Sequence, residues 1–129
     1  MAGRRAVIPL AKPTPTDVLL KACPFLRRHR QDSWGCGDTI VFGDVATLLK
    51  RRELPDDQAL QVFNCFNILA DSGDGHTLEV LATGALELFN DDAESQRLAR
   101  RRLQGRALSL LEEMRIHWGQ PDYGGEGTA

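Results

Sequence analysis

Cysteine is scarce in this chain and cannot be fully paired: there are three, with no C-x-x-C spacing among Cys23, Cys36 and Cys65. An odd count excludes a closed disulfide framework and fits a reducing, cytoplasmic setting. Long apolar runs are missing as well. Val18-Leu19-Leu20 is typical of the longest, which excludes a bilayer-spanning helix. The opening MAGRRAVIPLAKPTP is basic but holds no apolar stretch long enough for a secretory signal. Strand signals are almost absent. So are catalytic motifs: there is no P-loop pattern, no G-x-S-x-G elbow and no H-E-x-x-H pair. These absences predict no enzyme activity, no catalytic residue, no metal and no cofactor.

The turn DSGDGHTLE at 71–79 invites a calcium reading and fails it on register. With Asp71 in first position, Gly73 and Gly75 fall on ligand positions and His76 replaces the turn glycine. Ala82 then stands where a bidentate glutamate is required. The thiols and imidazoles Cys23, Cys36, Cys65, His29, His76 and His117 show no metal-ligand spacing. Cys65, inside an amphipathic helix, reads as a small core residue. Cys36, between Gly35 and Gly37, reads as exposed.

What is present is helical patterning. The chain is 129 residues, 42% hydrophobic and 26% charged, which suits one globular domain with a single core. Residues 1–15, with Pro9, Pro13 and Pro15, read as a flexible arm. A single helical domain is expected over 16–119 and a disordered tail over 120–129. The first helix starts at Thr16-Asp17, and Pro24 kinks or ends it. Residues 31–43 read as a loop with a short extended piece at Thr39–Phe42. Asp44 is expected to cap a short helix to Glu53. Pro55-Asp56-Asp57 opens a helix whose apolar face is Ala59, Leu60, Phe63, Phe66 and Ala70. Further helices are expected over Thr77–Phe89 and, as one long element, over Ala93–Trp118 with Leu103, Ala107, Leu110, Leu111, Met114 and Trp118 aligned. The fold class is therefore all-α: about five amphipathic helices in an antiparallel bundle or short helical stack.

Two residues break their stripes. Asn67 projects from the apolar side of its helix, which predicts a hydrogen bond to a loop backbone group. Gly84 costs roughly 1 kcal/mol of helix propensity, which predicts close approach of two helices.

The net charge of −2 conceals an uneven distribution. Residues 1–30 carry seven Lys/Arg against one acid, residues 31–95 three against thirteen, and residues 96–129 six against four. An acidic middle argues against nucleic-acid binding there and permits docking to a basic protein surface. The cluster Arg97, Arg100, Arg101, Arg102 and Arg106 lacks interleaved aromatics and reads as a solvated face paired with acids.

Residues 63–89, FNCFNILADSGDGHTLEVLATGALELF, join two helices through an acidic glycine turn. With the turn Asp71-Ser72-Gly73-Asp74, the pair Gly84-x-x-Glu87 and the preceding VFGDVATLLKRREL at 41–54, this stretch resembles the small all-helical immunity proteins of bacterial polymorphic toxin systems. The resemblance covers about half the chain. It implies an inhibitor that binds a cognate toxin and occludes its active site or substrate cleft. The acidic middle suits a toxin with a basic cleft. In an antiparallel hairpin Asp56, Asp57, Asp91 and Asp92 fall at one end. These four, helped by Glu87, are the expected partner-binding residues; the alternative is that they only cap helices. A second functional expectation is a helical adaptor or regulatory protein that binds a host protein or a nucleic acid through Arg97–Arg106.

Overall fold

The computed structural model describes residues 13–72 and 74–124, and these are helical with no strand among them. The chain order is α1 (Pro15–Ala22), 3₁₀ turns at Pro24–His29 and Asp32–Cys36, α2 (Asp38–Lys50), α3 (Asp56–Ala70), α4 (Gly75–Glu79), α5 (Ala93–Arg102) and α6 (Gly105–His117). Helix α4 runs on as a π turn, Val80–Ala85, and a 3₁₀ turn, Leu86–Asp91. The expected all-α class is what the chain adopts. One contiguous core draws buried side chains from every helix except the short α4, which packs Leu78 against it. The expected arm falls mostly on residues 1–12, outside the described residues; the first helix starts slightly earlier than expected, at Pro15.

Local chemistry explains the ends of α1. The Thr14 hydroxyl accepts from the Asp17 N–H at 3.0 Å, and the Asp17 carboxylate accepts from the Thr14 N–H at 3.1 Å. Each partner thus satisfies the other's orphan donor. Pro24 cannot continue the helix, which stops at Ala22.

The expected loop over 31–43 is corrected. Helix α2 already begins at Asp38, and the β-branched run Thr39-Ile40-Val41 lies within it. Val41, Phe42, Val45, Ala46 and Leu49 are buried at helical spacing, so packing overrides strand propensity. Asp38 clasps three elements: it accepts from the Thr16 hydroxyl at 2.6 Å and the Thr16 N–H at 3.2 Å, and meets His76 Nε2 at 3.1 Å. Asp44, expected as a cap, sits inside α2 and accepts from the Trp34 indole N–H at 2.7 Å.

Phe42, Phe63, Phe66 and Phe89 are fully buried and form the aromatic centre. Phe42 stacks on Phe66 at 5.8 Å, and Phe63 meets Phe89 at 5.6 Å. Leu60, expected on the core face of α3, is 39% exposed, whereas Val62 and Leu69, expected to widen that face, and Cys65, expected to pack beside the core, are buried. The π turn lies across α2, and Gly84 is the contact point. A Cβ there would come within 3.2 Å of both the Phe42 Cβ and the Thr39 carbonyl oxygen. The close approach expected from the sequence is present.

The expected long last helix is broken. Leu103 is extended, and Gly105 takes φ +52. Asn67 holds the break open with both ends of its amide: Nδ2 donates to the Arg102 carbonyl at 3.2 Å, and Oδ1 accepts from the Gln104 N–H at 2.9 Å. That is the loop hydrogen bond expected of Asn67.

The tail is also corrected for residues 120–124; residues 125–129 lie outside the described residues. Gln96, 0% exposed, donates to the Asn90 side chain at 3.0 Å and to the Pro121 carbonyl at 2.9 Å. Its oxygen accepts from the Tyr123 N–H at 2.7 Å. Arg100 bridges Glu112 and Asp122 at 2.9 and 2.7 Å. A buried amide with every partner supplied is a strong local anchor.

Candidate functional site

The four acids expected to form one patch, and the Glu87 expected to help them, are placed in three different settings. Asp92 is the N-cap of α5: its carboxylate accepts from the Ser95 N–H at 2.8 Å and the Ser95 hydroxyl at 3.0 Å. The Ser95 N–H is the main reason its carboxyl lies below the usual aspartate range, with Lys50 assisting. That carboxylate is tied up in the fold. Asp56 and Asp57 open α3 on exposed positions. Asp56 lines a hollow of about 130 Å³ together with Arg52, Arg101 and Arg102. Its surroundings are therefore cationic.

Glu87 and Asp91 are together. With Leu88, Trp118 and Gln120 they line an open depression of about 300 Å³. Asp91 pairs with Lys50 at 3.2 Å and accepts from the Gln120 side-chain amide at 3.4 Å. Trp118, aligned in the sequence with the core stripe, is 59% exposed, and Ile116 beside it is 67% exposed. The reason is position. Trp118 is the C-cap of α6, where the chain leaves the helix through Gly119 at φ +67. Periodicity past the last turn no longer reports a face. The glycine immediately after Trp118 is the local signal of that.

The arginines divide into bound and unbound. Arg100 pairs with Glu112 and Asp122, Arg106 with Glu113 at 2.8 Å, and Arg115 with Glu112 at 3.0 Å. The Glu112 hydrogen bond chiefly holds the Arg100 guanidinium above its ordinary range. Burial pushes the Glu112 carboxyl up, but Arg100 and Arg115 outweigh it and bring it below its ordinary value. Arg52, Arg97, Arg101 and Arg102 make no ion pair among the described residues.

The turn that invited calcium is built of caps. Asp74 accepts from the His76 N–H at 3.3 Å and the Thr77 hydroxyl at 2.9 Å. Burial pushes the Asp38 carboxyl up, but hydrogen bonds from Thr16 and His76 bring it below the ordinary range. Among the described residues no group of three or more His, Cys, Asp or Glu is placed to hold a metal ion. Cys23 and Cys65 are both buried, and contact with Cys65, then burial, pushes the Cys23 thiol up. Cys36 is exposed. No helix among the described residues is long and apolar enough to cross a membrane.

Two surface features stand out: an exposed tryptophan beside Glu87 and the Lys50-paired Asp91, and a smaller hollow lined by Arg52, Arg101 and Arg102 together with Asp56. The chain matches no protein-family model, no curated protein and no solved structure, so its functional reading stands on this geometry and on the motifs of residues 41–89.

Proposed function

We propose that this protein is an immunity protein, a partner-binding helical module that neutralises a cognate toxin by covering a basic active site or cleft. The observation that carries the reading is Trp118, 59% exposed in a depression shared with Glu87 and Asp91. Large aromatic side chains supply much of the energy at protein interfaces, and flanking charges set the partner's sign and the association rate. A partner lysine or arginine entering this depression meets an indole face and the Glu87 carboxylate, beside an Asp91 that is already paired with Lys50. Of the five acids expected to bind a partner, this reading relies on Glu87 and Asp91, with Trp118 added, because these share one depression.

The test is co-expression with the product of an adjacent toxin-like reading frame. Trp118→Ala should abolish protection and weaken binding by about 2 kcal/mol or more, with the melting temperature nearly unchanged. Glu87→Gln should mainly slow association and flatten its salt dependence. Full protection by a Trp118→Ala, Glu87→Gln double variant would sink this surface. The absence of any toxin-like neighbour would move the adaptor reading ahead. That second reading is favoured by one observation, the unpaired Arg97, Arg101 and Arg102 on α5.

A further inference from the structure

Arg52 is the one non-glycine residue at positive φ among the described residues, at +58. It stands just past the end of α2, where the Arg52 N–H donates to the Leu49 carbonyl at 3.2 Å and the Glu53 N–H to the Leu48 carbonyl at 3.0 Å. A helix end closed by this pair of bonds calls for a left-handed residue, and glycine fills that place without strain. Arginine fills it here at a steric penalty. Its side chain is exposed and makes no ion pair among the described residues, so no ion pair within the fold offsets the strain. Strain kept without a structural return points to function.

The side chain lines the hollow of about 130 Å³ that it shares with Arg101 and Arg102. Placement in the last turn of α5 suits Arg101 and Arg102 to the negative end of the helix dipole. Arg52 also stands at the negative end of a dipole, that of α2, but Lys50 and Arg51 already meet that end from unstrained positions, so the dipole does not account for a strained third cation. The walls include the buried side chains of Leu49, Leu54 and Phe63, so the hollow has an apolar floor under a cationic rim.

We propose that this hollow binds a single phosphate group, free or as the monoester of a small molecule. Three guanidinium forks offer more donors than the two oxygens of one carboxylate accept, whereas a phosphate monoester presents three terminal oxygens and a double charge. The volume suits one such group and little more. Asp56 also lines the hollow, so three guanidinium groups stand against one carboxylate there, and with Glu53 and Asp57 close by in the chain an extended polyanion meets more negative charge than a single phosphate does, which disfavours a nucleic-acid backbone. None of the residues lining the Trp118 depression lines this hollow, so the proposal stands apart from the toxin reading.

The experiment titrates the full-length, nitrogen-15-labelled chain with inorganic phosphate, phenyl phosphate, benzoate and a short single-stranded oligonucleotide. Inorganic phosphate reports the oxyanion alone, and phenyl phosphate adds an apolar body for the floor. Saturable binding of either should move the side-chain N–H signals of Arg52, Arg101 and Arg102 together and leave exposed Arg27 and Arg28 unmoved. Arg52→Gly should weaken that binding about tenfold while raising the melting temperature. Arg101→Gln with Arg102→Gln should remove it, with a circular dichroism spectrum like that of the parent. The proposal is overturned if neither phosphate binds at these arginines or if benzoate binds as well as phenyl phosphate. Tighter binding of the oligonucleotide, or an Arg52→Gly variant that gains stability and keeps full phosphate affinity, would overturn it equally.

Discussion

Helices α2 and α6 end in the same hydrogen-bonded turn. In α2 the closing bonds run from Arg52 to Leu49 and from Glu53 to Leu48, at 3.2 and 3.0 Å; in α6 they run from Gly119 to Ile116 and from Gln120 to Arg115, at 3.1 and 2.9 Å. The left-handed position carries arginine at φ +58 in one and glycine at φ +67 in the other. The backbone demand is the same, and the side chains answer it differently. At the α6 end the residue serves the turn, and the chain beyond it is anchored by Gln96 and Arg100. At the α2 end a side chain is retained where left-handed geometry costs roughly 1–2 kcal/mol. A helix end built only for structure takes the residue its backbone prefers. Departure from that preference, set beside a matched control in the same molecule, singles out a side chain with another task.

The largest expected effect removes the anchor that distinguishes the α6 end. Gln96→Leu strips the Tyr123 N–H, the Pro121 carbonyl and the buried Asn90 amide of their partner. The expected loss is about 2–3 kcal/mol, because each buried group left unsatisfied costs roughly 1–3 kcal/mol and the tail recovers part of this by hydrating. Denaturant unfolding gives the loss, and amide exchange at Tyr123 and Gly124 should rise to solvent rates. Retained protection at those amides would show that Arg100 and Asp122 hold the tail without Gln96.

A middle-sized effect comes from exchanging the two left-handed residues' character. Gly119→Ala should cost about 0.5–1 kcal/mol net, the left-handed penalty of roughly 1–2 kcal/mol less the about 0.5–1 kcal/mol recovered from the stiffer unfolded chain. Arg52→Gly should relieve the same penalty and return about 0.5–1 kcal/mol of it through the freer unfolded chain, a net gain of about 0.5–1 kcal/mol. Opposite signs in thermal melts would establish that the two ends differ only in what their side chain is for. If Arg52→Gly destabilises, the arginine contributes to the fold, and the inference drawn from its strain fails.

How much of the molecule is legible in the sequence depends on where each residue's partner lies. Asn67 and Gly84 are readable because a polar residue or a gap on an apolar stripe announces that something must meet it. The helix start at Pro55-Asp56-Asp57 is likewise local chemistry. The break at Leu103–Gly105 is not legible, because the group that stabilises it, Asn67, is 35 residues away from Arg102. Thr39–Phe42 reads as a strand until Gly84 and Phe66 are packed against it. The tail composition, QPDYGG, reads as disorder, and it takes the distant Gln96 and Arg100 to order residues 121–124. Among the candidate site residues, the capping role of Asp92 is signalled by Ser95 three positions on. The grouping of Glu87 and Asp91 around Trp118, by contrast, requires α6 to be laid against the end of the α4 segment.

The smallest expected effect contrasts helix ends closed by backbone bonds with helix starts held by carboxylates. The α2 and α6 ends involve no titrating group in their closing bonds. The start of α1 leans on Asp38, which accepts the Thr16 N–H, and the start of α5 on Asp92, and both carboxyls lie below the ordinary value of 3.8. A depressed carboxyl stabilises the fold fully above its unfolded value, and the contribution fades as pH falls through the lower folded value. Stability should therefore be flat from neutral pH down to about 4 as far as these two groups are concerned, and decline below it. Asn caps a helix nearly as well as Asp, so Asp92→Asn removes the charge and keeps the cap. It should cost about 0.3–1 kcal/mol at pH 7, a helix-dipole contribution, and nothing once the parent carboxylate is protonated. The Arg52→Gly gain should be the same at both pH values, because the guanidinium stays charged throughout and the strain is steric. Melting curves of the parent and both variants at about pH 7 and about pH 3 test the contrast directly. An Asp92→Asn deficit that does not shrink at all at the acid pH would mean the asparagine fails as a cap, and an Arg52→Gly gain that vanishes there would mean the α2 end is held by charge after all.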